Sequence, residues 1–226
     1  QGKMPNDAYA IKTIVTSEMA TKICEVHNVK LYNVLTGFKF IAEVIGEHEA
    51  KKEGTFLLGY EESYGYMKGQ YSRDKDGVVA SMLICEMAAY YSLKGMTLID
   101  AVESLYEKYG FYMENSAEIY MEGLDGKEKI AGLMDKLRAE TPEKLAGSRV
   151  VNIRDYLAET SKNMLTGEVE GTGLPKSNVM YYKAENGCVV VARPSGTEPK
   201  IKFYILANGK NEEEAHNNTV DCTHTL

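Results

Sequence analysis

The stretch Ala8-Tyr9-Ala10-Ile11-Lys12-Thr13-Ile14-Val15, followed by Ser17 to His27 and then Lys30-Leu31-Tyr32-Asn33-Val34, decides the fold. Its first part is rich in β-formers. Ser17 can cap a helix that carries Met19, Ile23 and Val26 on one face, and Asn28 can end it. The last part reads as a second short strand. Strand, helix and strand within so few residues is the signature of a βαβ unit, and it predicts a mainly parallel sheet.

The pattern continues outward. Thr36-Gly37 reads as a turn, and Phe38 to about Lys52 as a helix with Phe38, Ile41 and Ile45 inward, stopped by Gly54. Thr55 to Tyr60 is an apolar third strand, and Gly59 to Gly77 a long polar loop. Asp76 can cap the next helix, with a stripe of Val79, Met82, Leu83, Met87 and Tyr90. Thr97 with Asp100 has the form of a capping box for a helix that ends at Gly110. In such sheets ligands bind beyond the carboxyl ends of the strands, where the Gly59–Gly77 loop lies.

After about Glu114 the pattern changes. Ala117 to Met121 reads as a strand, Glu128 to Glu140 as an amphipathic helix, and Val150 to Ile153 as a strand. A Gly-rich stretch from Thr166 to Asn178 reads as a loop. Two strand-like runs flank Glu185-Asn186-Gly187, a strong hairpin signal, and Ile201 to Ala207 is a further strand. This predicts an α/β domain over residues 1–115 and a smaller α+β domain over residues 116–226.

The chain has 226 residues and a formal charge of −7, which disfavours nucleic acid or an anionic membrane as a partner. No apolar run is long enough to span a bilayer. The polar start Gln1 to Asp7 lacks a signal-peptide core, and the expected location is cytoplasmic. Cys24, Cys85, Cys188 and Cys222 form no C-x-x-C pair and read as buried free thiols. The four histidines are scattered, so no metal site is expected from them.

Two loops carry chemistry. In Arg193-Pro194-Ser195-Gly196-Thr197-Glu198-Pro199-Lys200-Ile201-Lys202, hydroxyls flank a glycine that can turn backbone N–H groups toward an anion. Arg193 offers a bidentate fork, and Lys200 or Lys202 a point charge. On composition alone an ordinary Pro-Gly turn between strands is the favoured reading. In Gly59-Tyr60-Glu61-Glu62-Ser63-Tyr64-Gly65-Tyr66, two carboxylates and a hydroxyl can take sugar hydroxyls, and the tyrosines can pack on a ring. Arg73 and Lys75 follow in a loop just before a helix N-terminus, a position that favours anions. A solvated loop with Asp76 as a cap is the competing reading.

Glu61-Glu62-Ser63, the Arg193 to Lys200 run and Leu35-Thr36-Gly37-Phe38-Lys39 together resemble the phosphoglucomutase/phosphomannomutase family, most of all its bacterial phosphoglucomutases. The resemblance runs from about Asn6 to about Asn208. It implies the third and fourth of four domains around one cleft. Glu61 and Ser63 would hold the sugar's 3- and 4-hydroxyls, Thr36-Gly37 would line the cleft with Lys39 close by, and Arg73 and Lys75 would face the active centre. Arg193, Ser195, Gly196 and Thr197 would grip the non-reacting phosphate, with Lys202 a further cation.

The family's phosphoserine and Mg²⁺ loops lie in its first two domains. Here no Ser-His-Asn-Pro loop and no Asp-x-Asp-x-Asp run exist, so no nucleophile and no metal ligand are assigned. The implied reaction interconverts hexose 1-phosphate and hexose 6-phosphate in a larger protein with Mg²⁺ and a hexose bisphosphate activator. The implied partners are the hexose phosphate and the missing N-terminal domains, and the chain alone is expected to be inactive. A phosphosugar-binding module without chemistry, or a fragment whose pocket never forms alone, are the rival readings. After Asn208 the tail is not expected to complete the family's last helix, although Glu212 to Asn218 reads as its start.

Overall fold

The computed structural model describes residues 4–123 and 125–225; the expectations for residues 1–3 and for Leu226 lie outside the described residues. The chain forms two compact units, Gln1–Gly110 and Phe111–Leu226. The expected boundary at residue 115 lies inside a strand of the second unit.

The first unit runs β1 (Ala8–Thr13), α1 (Met19–Val26), β2 (Lys30–Val34), α2 (Phe38–Lys51), β3 (Thr55–Glu61), β4 (Gly65–Met67), α3 (Gly77–Ser92) and α4 (Leu98–Tyr109). Its sheet has the order β2-β1-β3-β4. β1 pairs in parallel with β2 and β3, and β4 turns back antiparallel on β3. One face of the sheet packs Tyr9, Ile11 and Phe56 on Phe38, Ile41 and Ile45 of α2. These three α2 residues are the stripe the sequence shows, and all are buried. Fully burying each isoleucine stabilises the fold by about 1.5–3 kcal/mol. The opposite face packs Ala8, Ala10 and Val29 with Cys24 of α1.

Helix ends follow their sequence signals. Asn28 takes φ 53° after α1, and the Val29 N–H donates to the Cys24 carbonyl at 2.9 Å, closing the helix. Glu18, rather than Ser17, is the N-cap of α1 and makes no side-chain cap bond, although the Ser17 hydroxyl oxygen accepts from the Met19 N–H at 3.4 Å. The Asp76 carboxylate accepts from the Val78 and Val79 N–H groups at 3.0 Å, and Thr97 with Asp100 forms a reciprocal capping box.

Two expected stripes differ from the structure. Val26 of α1 is exposed, because the sheet meets the Cys24 side of that helix. Only Val79 of α3 is buried; Met82, Met87 and Tyr90 are exposed. α3 is apolar on every side, so its composition does not single out an inner face.

The second unit runs β5 (Phe111–Tyr120), α5 (Gly126–Ala139), β6 (Lys144–Leu145), β7 (Ser148–Asp155), β8 (Thr160–Asn163), β9 (Val169–Gly171), β10 (Met180–Ala184), β11 (Val189–Pro194), β12 (Lys200–Gly209) and α6 (Glu212–His224). The sheet order is β5-β12-β11-β10-β7-β8-β9, antiparallel throughout, with β6 paired to β7. Ile130 and Met134 of α5 and Cys222 of α6 pack with Met180, Tyr182, Val190, Phe203 and Ile205 in one core. The β10–β11 hairpin turns through Asn186-Gly187, with Gly187 at φ 89° and the Asn186 carboxamide oxygen accepting from the Cys188 N–H at 3.1 Å.

β5 begins at Phe111, not Ala117, because all ten of its residues register with β12. Within the expected loop 166–178, Val169–Gly171 pairs with β8. α6 continues to His224, beyond the start read at Glu212 to Asn218, because Ala215, Thr219 and Cys222 bury one stripe against the sheet. Of the four free thiols only Cys188 and Cys222 are buried; Cys24 is half-buried and Cys85 exposed. The Cys222 thiol donates toward Cys188, holding Cys188 down at about 7 and pushing Cys222 up.

Candidate functional site

The connections after β1, β2 and β3 emerge at the same edge of the first sheet, the carboxyl edge of its parallel strands. After β3 the chain turns back through Glu62, Ser63 and Tyr64, with Glu61 opposite Gly65. Three-residue hairpin loops commonly end on a residue in the left-handed region, usually glycine. Here that residue is Tyr64, at φ 63°, a conformation that costs a side-chain-bearing residue about 1–2 kcal/mol. Gly65 is glycine for another reason: a Cβ there would meet the Phe38 ring at 2.5 Å. The hairpin loop therefore lies on the first residue of α2.

Glu61 is 7% exposed at the end of β3. Its Oε1 accepts a hydrogen bond from the Ser63 hydroxyl at 2.9 Å, while Oε2 is buried without a partner. A buried carboxylate oxygen left unsatisfied is costly unless a ligand supplies the donor. Gly37, at φ 124°, is the N-cap of α2 and offers no side-chain cap, so first-turn N–H groups of that helix face the same edge. Thr36 is half-buried beside it. Lys75 sits 5.0 Å from the centre of the Phe38 ring and 3.2 Å from Asp74. Glu61, Ser63, Gly37 and Lys75 are thus gathered around Phe38.

Arg73 is not part of that group. It is ion-paired with Glu49 in the last turn of α2, about 16 Å along the helix from Phe38. Lys39 lies over Phe40 at 4.6 Å.

Sequence reading passed over the loop after β1. Lys12 is fully buried, and its Nζ donates to the Thr16 carbonyl and the Glu18 carboxylate, both at 3.0 Å. The Thr13 and Thr16 hydroxyls, bonded to each other at 2.7 Å, lie 3.3 and 3.5 Å from the Glu62 carboxylate, which accepts the proton left over and joins this loop to the hairpin. A lysine inside an otherwise apolar strand was the available signal, since lysine is almost never fully buried without a partner.

In the second unit Arg193 is the penultimate residue of β11 and stands opposite Lys202 on β12. Strand alternation puts Arg193, Lys202 and Tyr204 on one face of the sheet and the α5–α6 core on the other. The Ser195 N–H donates to the Lys200 carbonyl at 2.8 Å, which closes the loop. The Ser195 hydroxyl oxygen accepts from the Thr197 and Glu198 N–H groups at 3.3 and 3.2 Å. The Ser195 and Thr197 hydroxyls lie 3.5 Å apart, so one can donate to the other and the remaining proton can reach an outside acceptor. Gly196 does not adopt a left-handed backbone, and a Cβ there would meet open space. The loop is organised by Ser195 rather than by a glycine nest.

The cations differ in their commitments. Lys200 Nζ binds Glu198 at 3.1 Å, Tyr120 at 3.2 Å and Glu118 at 3.3 Å, and these bonds raise its pKa, Tyr120 first. Lys202 lies 3.8 Å from Glu118, whose carboxyl is held below its usual range by Tyr120 first and then Lys200. Arg193 makes one long bond, 3.4 Å to the Tyr204 hydroxyl, and no ion pair within 4.0 Å among the described residues. Of the cations at this loop, Arg193 carries the charge that its neighbours leave least neutralised. No group of three or more His, Cys, Asp or Glu side chains that could hold a metal ion occurs among the described residues.

Residues 1–109 match the family described as phosphoglucomutase/phosphomannomutase, alpha/beta/alpha domain III. The similarity extends beyond that domain. The phosphoglucomutase of Staphylococcus saprophyticus is 37% identical over 206 residues, covering 91% of this chain. The chain belongs to the phosphoglucomutase/phosphomannomutase family. The Staphylococcus haemolyticus phosphoglucomutase is 36% identical over 211 residues, 93% of this chain. The chain spans 37% and 38% of these two relatives' lengths.

Solved structures of the phosphoglucomutase/phosphomannomutase family share the fold. The open form of pp63/parafusin, a phosphoglucomutase from Paramecium, has a TM-score of 0.64 at 18% identity, covering 95% of this chain and 35% of its own. A phosphoglucomutase/phosphomannomutase family protein from Burkholderia thailandensis has a TM-score of 0.54 at 14% identity, covering 97% and 37%. No helix among the described residues is long and apolar enough to cross a membrane.

Proposed function

We propose that this chain is the substrate-reading part of a cytoplasmic phosphohexomutase, in which the first unit holds the hydroxyls of a hexose phosphate. The second unit, as the family's fourth domain, grips the phosphate that is not reacting. The observation that carries the reading is Glu61, a buried carboxylate with one oxygen satisfied by Ser63 and the other awaiting a donor. A sugar hydroxyl is such a donor, and a phosphate dianion is not. Phosphate recognition falls to the second loop, where Arg193 supplies a fork and Ser195 and Thr197 supply hydroxyl protons.

In the complete protein the reaction moves a phosphoryl group between the two ends of a hexose. Reading the hydroxyls at C3 and C4 suits that exchange, because they lie near the axis about which the intermediate must flip. One phosphate grip can then serve either end. The contribution of this chain is positioning and charge stabilisation. The nucleophilic serine, Mg²⁺ and the hexose bisphosphate activator belong to the rest of the protein on this reading.

The test of the phosphate grip is an NMR titration of the intact chain with inorganic phosphate. The Thr197 and Glu198 amides should shift, because an anion taking the Ser195 proton polarises the hydroxyl that accepts from them. The affinity should be about millimolar, near −4 kcal/mol, and should weaken with salt. Arg193→Ala should abolish most of the response, and Arg193→Lys should restore only part of it. A silent loop, or wild-type behaviour in Arg193→Ala, would make it a structural turn only.

A further inference from the structure

We propose that Tyr64 is the aromatic platform of the sugar site, closing on the apolar face of the hexose whose hydroxyls Glu61 and Ser63 take. The inference rests on the sugar-reading role of the first unit and adds a specificity residue to it.

Tyr64 occupies the one position of the hairpin loop where the backbone favours glycine, at φ 63°. Glycine stands at the next position instead, where Phe38 leaves no room for a Cβ. A side chain is thus retained at 64 against the preference of the backbone. Little of the fold packs on it: Tyr64 is 89% exposed. The other two tyrosines of the hairpin, Tyr60 and Tyr66, stack on each other with centroids 6.3 Å apart. A residue held in a disfavoured conformation without packing to compensate points to a role outside the fold.

The neighbouring atoms say what that role serves. Three residues before Tyr64, the buried Oε2 of Glu61 has no donor. The ligand that completes the loop must bring a hydroxyl to Glu61 and an apolar face to an aromatic ring. A pyranose carries both, with hydroxyls around its edge and C–H bonds on its face. Inorganic phosphate carries neither. The pair Glu61 and Tyr64 therefore selects sugar phosphates over bare phosphate.

The experiment titrates the intact chain with glucose 1-phosphate and records the melting temperature of each variant. Tyr64→Phe keeps the ring and should bind within about twofold of wild type. Tyr64→Gly should bind about threefold to tenfold more weakly, the range of one aromatic contact. It should nevertheless melt at a higher temperature, because glycine accepts this backbone freely. The opposite signs separate a ligand role from a structural one. Unchanged affinity in Tyr64→Gly overturns the proposal while leaving the sugar reading intact, provided Glu61→Gln still weakens binding. A lower melting temperature in Tyr64→Gly also overturns it, since the ring would then serve the fold. If the wild-type chain ignores glucose 1-phosphate while phosphate still shifts the Thr197 amide, the sugar reading falls together with this proposal.

Discussion

A methyl group at position 65 would share its space with Phe38, whose ring lies 2.5 Å from the site of the missing Cβ. Phe38 is itself buried in the core beneath α2, so it cannot swing aside. Gly65→Ala should destabilise the first unit by about 1–3 kcal/mol, the usual cost of overpacking, and urea denaturation followed by circular dichroism should show it. A midpoint equal to wild type would mean that the hairpin does not rest on α2. This contact has a functional side, because the same hairpin fixes Glu61 and Ser63. From residue types alone, Glu61 and Ser63 fitted a sugar site and a solvated loop equally, and only the family motif favoured the first. That one Glu61 oxygen is buried and unpartnered was not legible, since it depends on the turn geometry and on Phe38. Arg73 shows the converse. Its charge was visible in sequence, but its partner Glu49 lies on a different element, and pairing across elements leaves no trace in local spacing.

α2 was readable because its apolar positions recur on one face only. Ile41 is fully buried, and Ile41→Ala should cost about 2–5 kcal/mol. α3 was not readable in this way. Met82 is exposed, and Met82→Ala should stay within about 0.5 kcal/mol of wild type. Equilibrium unfolding of the two variants side by side would check the assignment, and a large loss in Met82→Ala would reverse it. At the start of α3, the Asp76 carboxyl is held below its usual range, by the Val79 N–H first and by the Tyr71 hydroxyl next. A depressed folded pKa contributes stability above the ordinary aspartate value, near 3.9, that is lost as pH falls through the folded one. Wild type should therefore lose stability between about pH 4 and its folded pKa, and Asp76→Asn should flatten that part of the thermal-melt profile. An unchanged acid limb would show that the cap is not made. Helix caps were legible at Asp76 and Thr97 because they are local. β5 and α6 ran longer than their sequence signals because both are held by the second sheet: β5 through ten registered pairs with β12, and α6 through Ala215, Thr219 and Cys222.

At the scale of the whole chain, the proposed function gives one loop of each unit one part of a hexose phosphate. The parallel sheet of the first unit places its loop at the carboxyl edge. The antiparallel sheet of the second places Arg193 on the face away from its helices. Neither unit supplies a serine assigned as nucleophile, and the described residues gather no metal ligands. A coupled assay of the purified chain with glucose 1-phosphate, a trace of glucose 1,6-bisphosphate and Mg²⁺ should therefore show no turnover above background. Turnover at ordinary enzyme rates would overturn the division of labour proposed for the complete protein.

The central claim, that this chain reads the sugar and the phosphate of one substrate class, is tested most directly by calorimetric titration of the intact chain with glucose 1-phosphate. Wild type, Glu61→Gln and Arg193→Ala are compared at one salt concentration. The account predicts saturable binding by wild type and a loss of about 1.5–3 kcal/mol in each variant, roughly tenfold or more in affinity, because each removes a charge-assisted hydrogen bond. Wild-type affinity in both variants, or no binding by the wild-type chain, would contradict it.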